Sequence, residues 1–173
     1  MVKEKMQQAL NDQLNAELYS AYLYLSMEAY FRSISLNGFA TWMRVQTQEE
    51  IFHATKFYDF IDDRGGRVTL KAIDAPPNTW ESPLAVFQYT YEHEQKVTGL
   101  INNLVDLSLA EHDHATNIFL QWFITEQVEE EDNASTIIER IKLVKEAKEG
   151  LFLLDQELGQ RTFTQPTAPA AGA

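Results

Sequence analysis

Between Lys5 and Arg32 the apolar residues Leu10, Leu14, Ala21, Leu25 and Ala29 recur at steps of about one helical turn, which predicts a long amphipathic helix. After Ser33-Ile34-Ser35-Leu36-Asn37-Gly38 the pattern returns at Phe39, Trp42, Val45, Phe57 and Phe60. It stops at Arg64-Gly65-Gly66, where glycine accepts the left-handed backbone of a helix C-terminus. So short a connection sets the second helix antiparallel to the first. A third helix opens at Ser82-Pro83, an N-cap followed by a first-turn proline, and carries Phe87, Thr90, Val97, Ile101, Leu104 and Leu107. The turn Glu111-His112-Asp113-His114 leads to a fourth, Ala115 to Leu143, with Ile118, Phe119, Trp122, Ile124, Ile137 and Ile141. Gly150 to Leu158 reads as a short fifth helix, too short to be another member of a bundle.

Between the second and third helices, Gly65 to Ser82 holds Gly65-Gly66 and Pro76-Pro77, with Pro83 just beyond. A connection this long is uncommon in a compact domain unless it has a structural purpose. Spanning the length of a bundle, so that the third helix starts at the opposite end, is such a purpose. The fold class is therefore all-α: two helical pairs joined by one long crossover, with a short helix at the end. Residues 1–160 form one domain, and the Pro-, Thr- and Ala-rich residues 161–173 are expected to be a disordered tail.

Against this frame the acids are out of place. Glu17 follows Leu10 and Leu14 in the first apolar stripe; Glu50 and His53 lie between Val45 and Phe57; Glu94 lies between Thr90 and Val97; Gln127 and Glu130 lie in the fourth stripe. An uncompensated carboxylate in a low-dielectric interior costs several kcal/mol even after relaxation. Acids on all four helices must share protons, meet water or bind cations. Glu50 and His53 are one turn apart and can grip one ion. Glu17, Glu50 and His53 are expected around a first ion, with Glu50 bridging to a second held by Glu94 and Glu130. Oxygen donors with one imidazole suit ferrous iron, and two ferrous ions side by side can each give an electron to O2. A lone Glu-x-x-His arises often by chance; its coincidence with acids in three other stripes is the specific signal.

Composition narrows the chemistry further. The net charge of −12 disfavours nucleic acid and anionic membranes as partners and favours cations. No cysteine is present, which removes disulfides, thiolate zinc sites and Cys-ligated iron–sulfur clusters. No run of about 18 apolar residues suggests a membrane span, and the N-terminus is amphipathic with no apolar targeting segment, so a cytoplasmic location is expected.

These residues also carry a resemblance. Asn15-Ala-Glu-Leu-Tyr19, Tyr22-Leu-Tyr-Leu-Ser-Met27, Gly38-Phe-Ala-Thr-Trp-Met43, Gln48-Glu-Glu-Ile-Phe-His53, Arg64-Gly-Gly-Arg67, Pro76-Pro77, His93-Glu94, Phe119-Leu-Gln-Trp-Phe123 and Glu126-Gln-Val-Glu-Glu-Glu131 stand in the order found in the non-haem bacterial and archaeal ferritins, which residues 5–158 resemble. The resemblance implies a ferritin-like bundle and ferroxidase activity. Glu17, Glu50 and His53 would hold the first iron, Glu50, Glu94 and Glu130 the second, and Gln127 would lie beside them. Glu49, Glu126 and Glu129, with Glu130, would form a third iron site, and Tyr24 and Trp122 would be aromatics near the centre, with core packing the alternative role for each. It further implies a homo-oligomeric shell of 24 subunits storing ferric mineral, to whose contacts Leu151, Phe152 and Leu154 of the short helix would contribute if exposed.

Departures from related patterns sort the relatives. A bacterioferritin-like chain would carry a second Glu-x-x-His where Gln127-x-x-Glu130 stands, and a haem-ligating Met where this chain has Ile51, so haem is not expected. A rubrerythrin-like chain would bring cysteine pairs. The DNA-protecting mini-ferritins lack the short C-terminal helix and build their site between subunits. Asn117 and Leu120 stand where animal ferritins tend to line a pore with acids, leaving the iron entry route open. His93 has no assigned role, and His112 and His114 are expected in solvent. The alternative reading is a di-metal peroxidase or catalase on the same bundle, without storage.

Overall fold

In the computed structural model of the protein, residues 1–144 and 148–164 are described, and among them are five helices and no strand. They are α1 (Glu4–Ser33), α2 (Asn37–Asp63), α3 (Pro83–Ala110), α4 (His114–Val144) and α5 (Lys148–Leu158). The expected ends differ from these by a few residues at most. Of the expected tail, residues 165–173 lie outside the described residues; Arg161 to Thr164 are non-helical, and two of them make contacts given below.

Local chemistry fixes the helix ends. Gly65 has φ 64°, and the Gly66 amide donates to the Ile61 carbonyl (2.9 Å) and the Gly65 amide to that of Asp62 (2.8 Å), the paired bonds of a Schellman cap. Ser82 Oγ accepts from the Ala85 amide at 3.1 Å, ahead of Pro83. Asp113 accepts from the Thr116 amide at the start of α4 and pairs with Arg64 at 3.1 Å, tying the end of α2 to the start of α4.

The crossover runs the length of α1. Arg67 and Thr69 bond to Gln7 and Asn11, Ala72 accepts from Asn15, Pro77 accepts from Ser26, and Trp80 packs edge-on against Tyr30. The loop thereby carries the chain from one end of the bundle to the other, as its length suggested. No helix of the described residues is long and apolar enough to cross a membrane.

The core is cut into two apolar clusters. One holds Tyr24, Met27, Phe31, Phe39, Trp42, Met43, Phe87, Ile137 and Ile141; the other holds Met6, Leu10, Leu14, Phe57, Ile61, Val97, Ile101, Leu120 and Phe123. On each long helix the candidate ligands fall between the two: Glu17, Glu50 with His53, Glu94, and Gln127 with Glu130.

Several apolar side chains face differently from expectation. Leu25 and Ala29 are exposed, because the stripe of α1 steps through Tyr24, Glu28 and Phe31 instead. Ile118 is exposed too, since α4 turns Thr116, Leu120 and Phe123 inward. In α5, Leu154 is buried with Leu158 against the first cluster, while Phe152 and Leu153 are exposed. Leu154 therefore belongs to the subunit's own core and is not available at its surface.

The short fifth helix also caps the second. Leu36, which precedes α2, offers no capping side chain, and Asp155 Oδ1 accepts instead from the Gly38 (2.8 Å) and Phe39 (3.0 Å) amides. The two backbones approach so closely that a Cβ at Gly38 would lie 1.6 Å from the Asp155 carbonyl oxygen.

Candidate metal centre

All four long helices place polar side chains in the layer between the apolar clusters: Glu17 from α1, Glu50 and His53 from α2, Glu94 from α3, and Gln127 and Glu130 from α4. Every one is buried. Glu17, Glu50 and His53 each offer a ligand atom such that these atoms all lie within 4.8 Å of one another. His53 Nδ1 stands 3.4 Å from Glu50 Oε2 and 4.0 Å from Glu17 Oε2. Among the described residues this is the only such group. Glu94 and Glu130 stand outside it; the charge of Glu94 acts on Glu50, and those of Glu94 and Glu50 act on Glu130.

Each carboxylate outside or at the edge of that group is held by a neutral donor. Gln13 Nε2 donates to Glu17 (2.7 Å), Gln46 Nε2 to Glu130 (2.6 Å), and Gln127 Nε2 to Glu94 (3.1 Å). The Tyr24 hydroxyl also donates to Glu94. Tyr24 is wholly buried, so its phenol needs such a partner. Gln13 and Gln46 went unnoticed in the sequence, although each stands one turn before a candidate ligand, in Gln-x-x-x-Glu steps on α1 and α2.

Electrostatics shows what the layer lacks. Burial raises the pKa of Glu17, Glu50, Glu94 and Glu130, and the charge of Glu50 adds to the rise at Glu17, that of Glu94 to those at Glu50 and Glu130. Glu28, equally buried in the same stripe of α1, is the contrast. Burial would raise it as well, yet Arg44 (2.5 Å) and Arg32 (2.7 Å) hold it below the usual carboxylate range. Arginines therefore neutralise the structural acid, whereas among the described residues no Lys or Arg pairs with the four in the central layer. A set of oxygen donors with one imidazole and excess negative charge fits divalent metal ions.

A pH dependence follows. A carboxyl whose folded pKa lies above its unfolded value of about 4.3 stabilises the fold fully below that value and loses the contribution as pH rises through the folded pKa. Metal ions compete with those protons, so their stabilisation grows as pH rises. The increase in thermal midpoint caused by Zn2+ is expected to be larger at pH 8 than at pH 5; scanning calorimetry with and without the ion would check this, and an increase that shrinks with pH would contradict it.

The other candidates take up distinct places. Glu49 and Glu126 are half-buried and Glu129 is exposed; burial raises the pKa of Glu49 and Glu126, and the charge of Glu129 raises both further. Glu49 is paired with Arg161 at 2.6 Å. Trp122 is half-buried and packs edge-on against the His53 ring, with centroids 5.3 Å apart. His93 is buried, its Nε2 lying 2.8 Å from Ser20 Oγ, and burial lowers its pKa to about 4. His112 and His114 are exposed. A surface cleft of about 340 Å³ between α3 and α4, lined by Thr98, Ile101, Ile124 and Glu131 among others, reaches Gln127.

Four long helices with one crossover and an inward-facing layer of carboxylates and imidazole define a four-helix bundle with a candidate metal site at its centre. The chain belongs to the ferritin family: the family description "Ferritin-like domain" matches residues 7–144. It is 47% identical over 161 residues to a bacterial non-heme ferritin of Bacteroides fragilis (strain 638R), covering 93% of this chain and all of that one. Among solved structures, it is similar to a ferritin of Archaeoglobus fulgidus engineered into a closed form (TM-score 0.94, 55% identity, covering 95% of this chain and 100% of that one). The open-pore ferritin of the same archaeon gives a TM-score of 0.93 at 55% identity, covering 94% and 100%.

Proposed function

We propose that this protein is a ferroxidase subunit that oxidises Fe(II) and stores the product as a ferric oxyhydroxide mineral inside a homo-oligomeric shell of 24 copies in the cytoplasm. The observation that carries the reading is the buried convergence of Glu17, Glu50 and His53 within 4.8 Å, in a layer whose remaining acids have no Lys or Arg partner among the described residues. Glu17, Glu50 and His53 bind one ferrous ion; Glu94 and Glu130 bind a second, with Glu50 between them. Each ion gives up one electron and O2 accepts the pair, taking two protons to leave as hydrogen peroxide. Tyr24 and Gln127 orient Glu94 while its charge is redistributed. Glu49, Glu126 and Glu129 receive or exchange ions beside the pair.

Iron and the oxidant are substrates, and haem has no part: Ile51, at the position where a bacterioferritin-like chain would offer Met, is half exposed. Exposed Phe152 and Leu153 on α5 give the shell apolar contact surface. Loading the assembled protein with Fe(II) without oxygen and then admitting air tests the whole reading. Rapid oxidation of a pair of ions per subunit, followed by soluble retention of many more, is the expected result. Peroxide turnover without retention would instead establish a di-metal peroxidase or catalase, and slow oxidation throughout would leave no enzymatic role.

A further inference from the structure

We propose that Arg161 is the resident counter-ion of Glu49, and that a divalent ion binds at the outer carboxylates Glu49, Glu126 and Glu129 by displacing its guanidinium from Glu49. This rests on the metal-binding reading above. Arg161 lies three residues beyond the end of α5, in a segment whose sequence looked like featureless tail. Its side chain makes three kinds of contact at once. Nη2 donates to Glu49 Oε2 at 2.6 Å, Nη1 donates to Gln46 Oε1 at 2.8 Å, and the guanidinium lies 4.4 Å from the centre of the Trp42 ring.

The contact with Gln46 reaches the inner layer. Gln46 is fully buried, and because its amide oxygen accepts from Arg161, its nitrogen faces Glu130, to which it donates at 2.6 Å. Arg161 is thus a positioning residue for Glu130 through Gln46. Two residues on, Phe163 packs edge-on against Phe52, which holds the segment to α2. Lys56 lies 4.2 Å over the Trp122 ring, and Glu126 is the charge that acts on it.

The two layers therefore differ in kind. Among the described residues the inner acids have no Lys or Arg partner, only the imidazole of His53, and a metal ion binds them without displacing a permanent cation. Glu49 of the outer acids already has one, and a divalent ion there would lie within a few ångströms of the guanidinium, where like charges repel strongly. Ions fill the inner pair first, and the outer position stays weak and exchangeable. Its occupation releases Arg161, and with it the constraint on Gln46 and Glu130, so that the outer position and the end of α5 are coupled.

Calorimetric titration of the assembled protein with Zn2+, which is redox-inert, tests this. Wild-type protein is expected to show an inner pair of binding events and a weaker third. In Arg161→Gln the third event should tighten about tenfold, the effect of removing one charge-assisted competitor, with the first of the inner events unchanged. Arg161→Lys, which keeps the charge, should restore the weak third event, and Glu49→Gln should abolish it. If Gln disturbs assembly, as light scattering would show, Arg161→Met keeps the stem over Trp42 and carries the same expectation. A third event of equal or lower affinity after removal of the charge overturns the proposal, as does a Lys variant that behaves like Gln. Absence of the inner events in wild-type protein would overturn the underlying metal-binding reading instead.

Discussion

Glu50→Ala is expected to abolish the fast phase of Fe(II) oxidation, lowering its rate by on the order of a hundredfold or more, while the subunit still folds and assembles. Glu50 is the residue common to both proposed ion positions: it stands 3.4 Å from His53, belongs to the compact group with Glu17, and feels the charge of Glu94 most strongly among its neighbours. Even residues that merely orient a metal ligand are worth about 10–100-fold, and a shared ligand affects both ions. Stability should move the other way. Burial and Glu94 raise the pKa of Glu50, so at neutral pH its ionised form opposes folding in the absence of metal. The isosteric Glu50→Gln removes that charge without leaving a void. Its metal-free thermal midpoint should exceed that of the wild type at pH 7.5 by about 2–4 °C, the shift that ~1 kcal/mol makes in a chain of this size. The difference should vanish near pH 4.5, where the wild-type carboxyl is itself protonated. Stopped-flow absorbance and calorimetry read the two effects separately; a variant that oxidises iron at the wild-type rate would remove Glu50 from the centre.

Gly38→Ala should have the largest effect on stability of any single methyl added to the chain. Its Cβ would fall 1.6 Å from the carbonyl oxygen and 2.5 Å from the carbonyl carbon of Asp155, and backbone atoms cannot swing aside as a side-chain tip can. The fifth helix must move. Moving it withdraws Asp155 from the amides of Gly38 and Phe39, a capping loss of about 1 kcal/mol, and uncovers Leu154 and Leu158, each worth ~1.5–3 kcal/mol when fully buried. A loss of about 4–7 kcal/mol is expected if α5 undocks fully, with a lower thermal midpoint and a weakened shell. Gly99→Ala is the matched control. A Cβ there meets nothing within 4 Å, and Gly99 lies inside α3, so the better helix former should leave stability unchanged or raise it by up to ~1 kcal/mol. Equal midpoints for the Gly38 and Gly99 variants would contradict this account of how α5 is docked.

The candidate site was legible to the extent that its residues announce themselves along one helix. Glu50 with His53, and Gln127 with Glu130, are neighbours one turn apart, and Glu17 and Glu94 stand at stripe positions whatever the bundle does around them. Residues that act across helices were less visible. Tyr24 could be placed near the centre only by resemblance, and that it donates to Glu94 depends on α1 meeting α3. Where polar residues occupy the stripe, apolarity alone misleads: it selects Leu25 and Ala29 over Glu28, and Ile118 over Thr116, because the true stripe contains groups that a hydrophobic pattern passes over. Glu28 is buried for a reason found on two helices, its pairing with Arg32 on α1 and Arg44 on α2.

Taken by itself, the amino-acid sequence determined the number and order of the helices, the ends marked by Gly65 and Ser82, the need for a crossover running the length of the bundle, and the acids on each helix. All of these depend on backbone preference and on side chains three or four positions apart, which every helix expresses alone. Only the tertiary structure decided that Asp155 caps α2, that Gln46 on α2 braces Glu130 on α4, and that Arg161 sits on Glu49 across 112 positions of sequence. Such contacts have no local signature, because their energy arises only after distant segments have been brought together and water has been excluded between them.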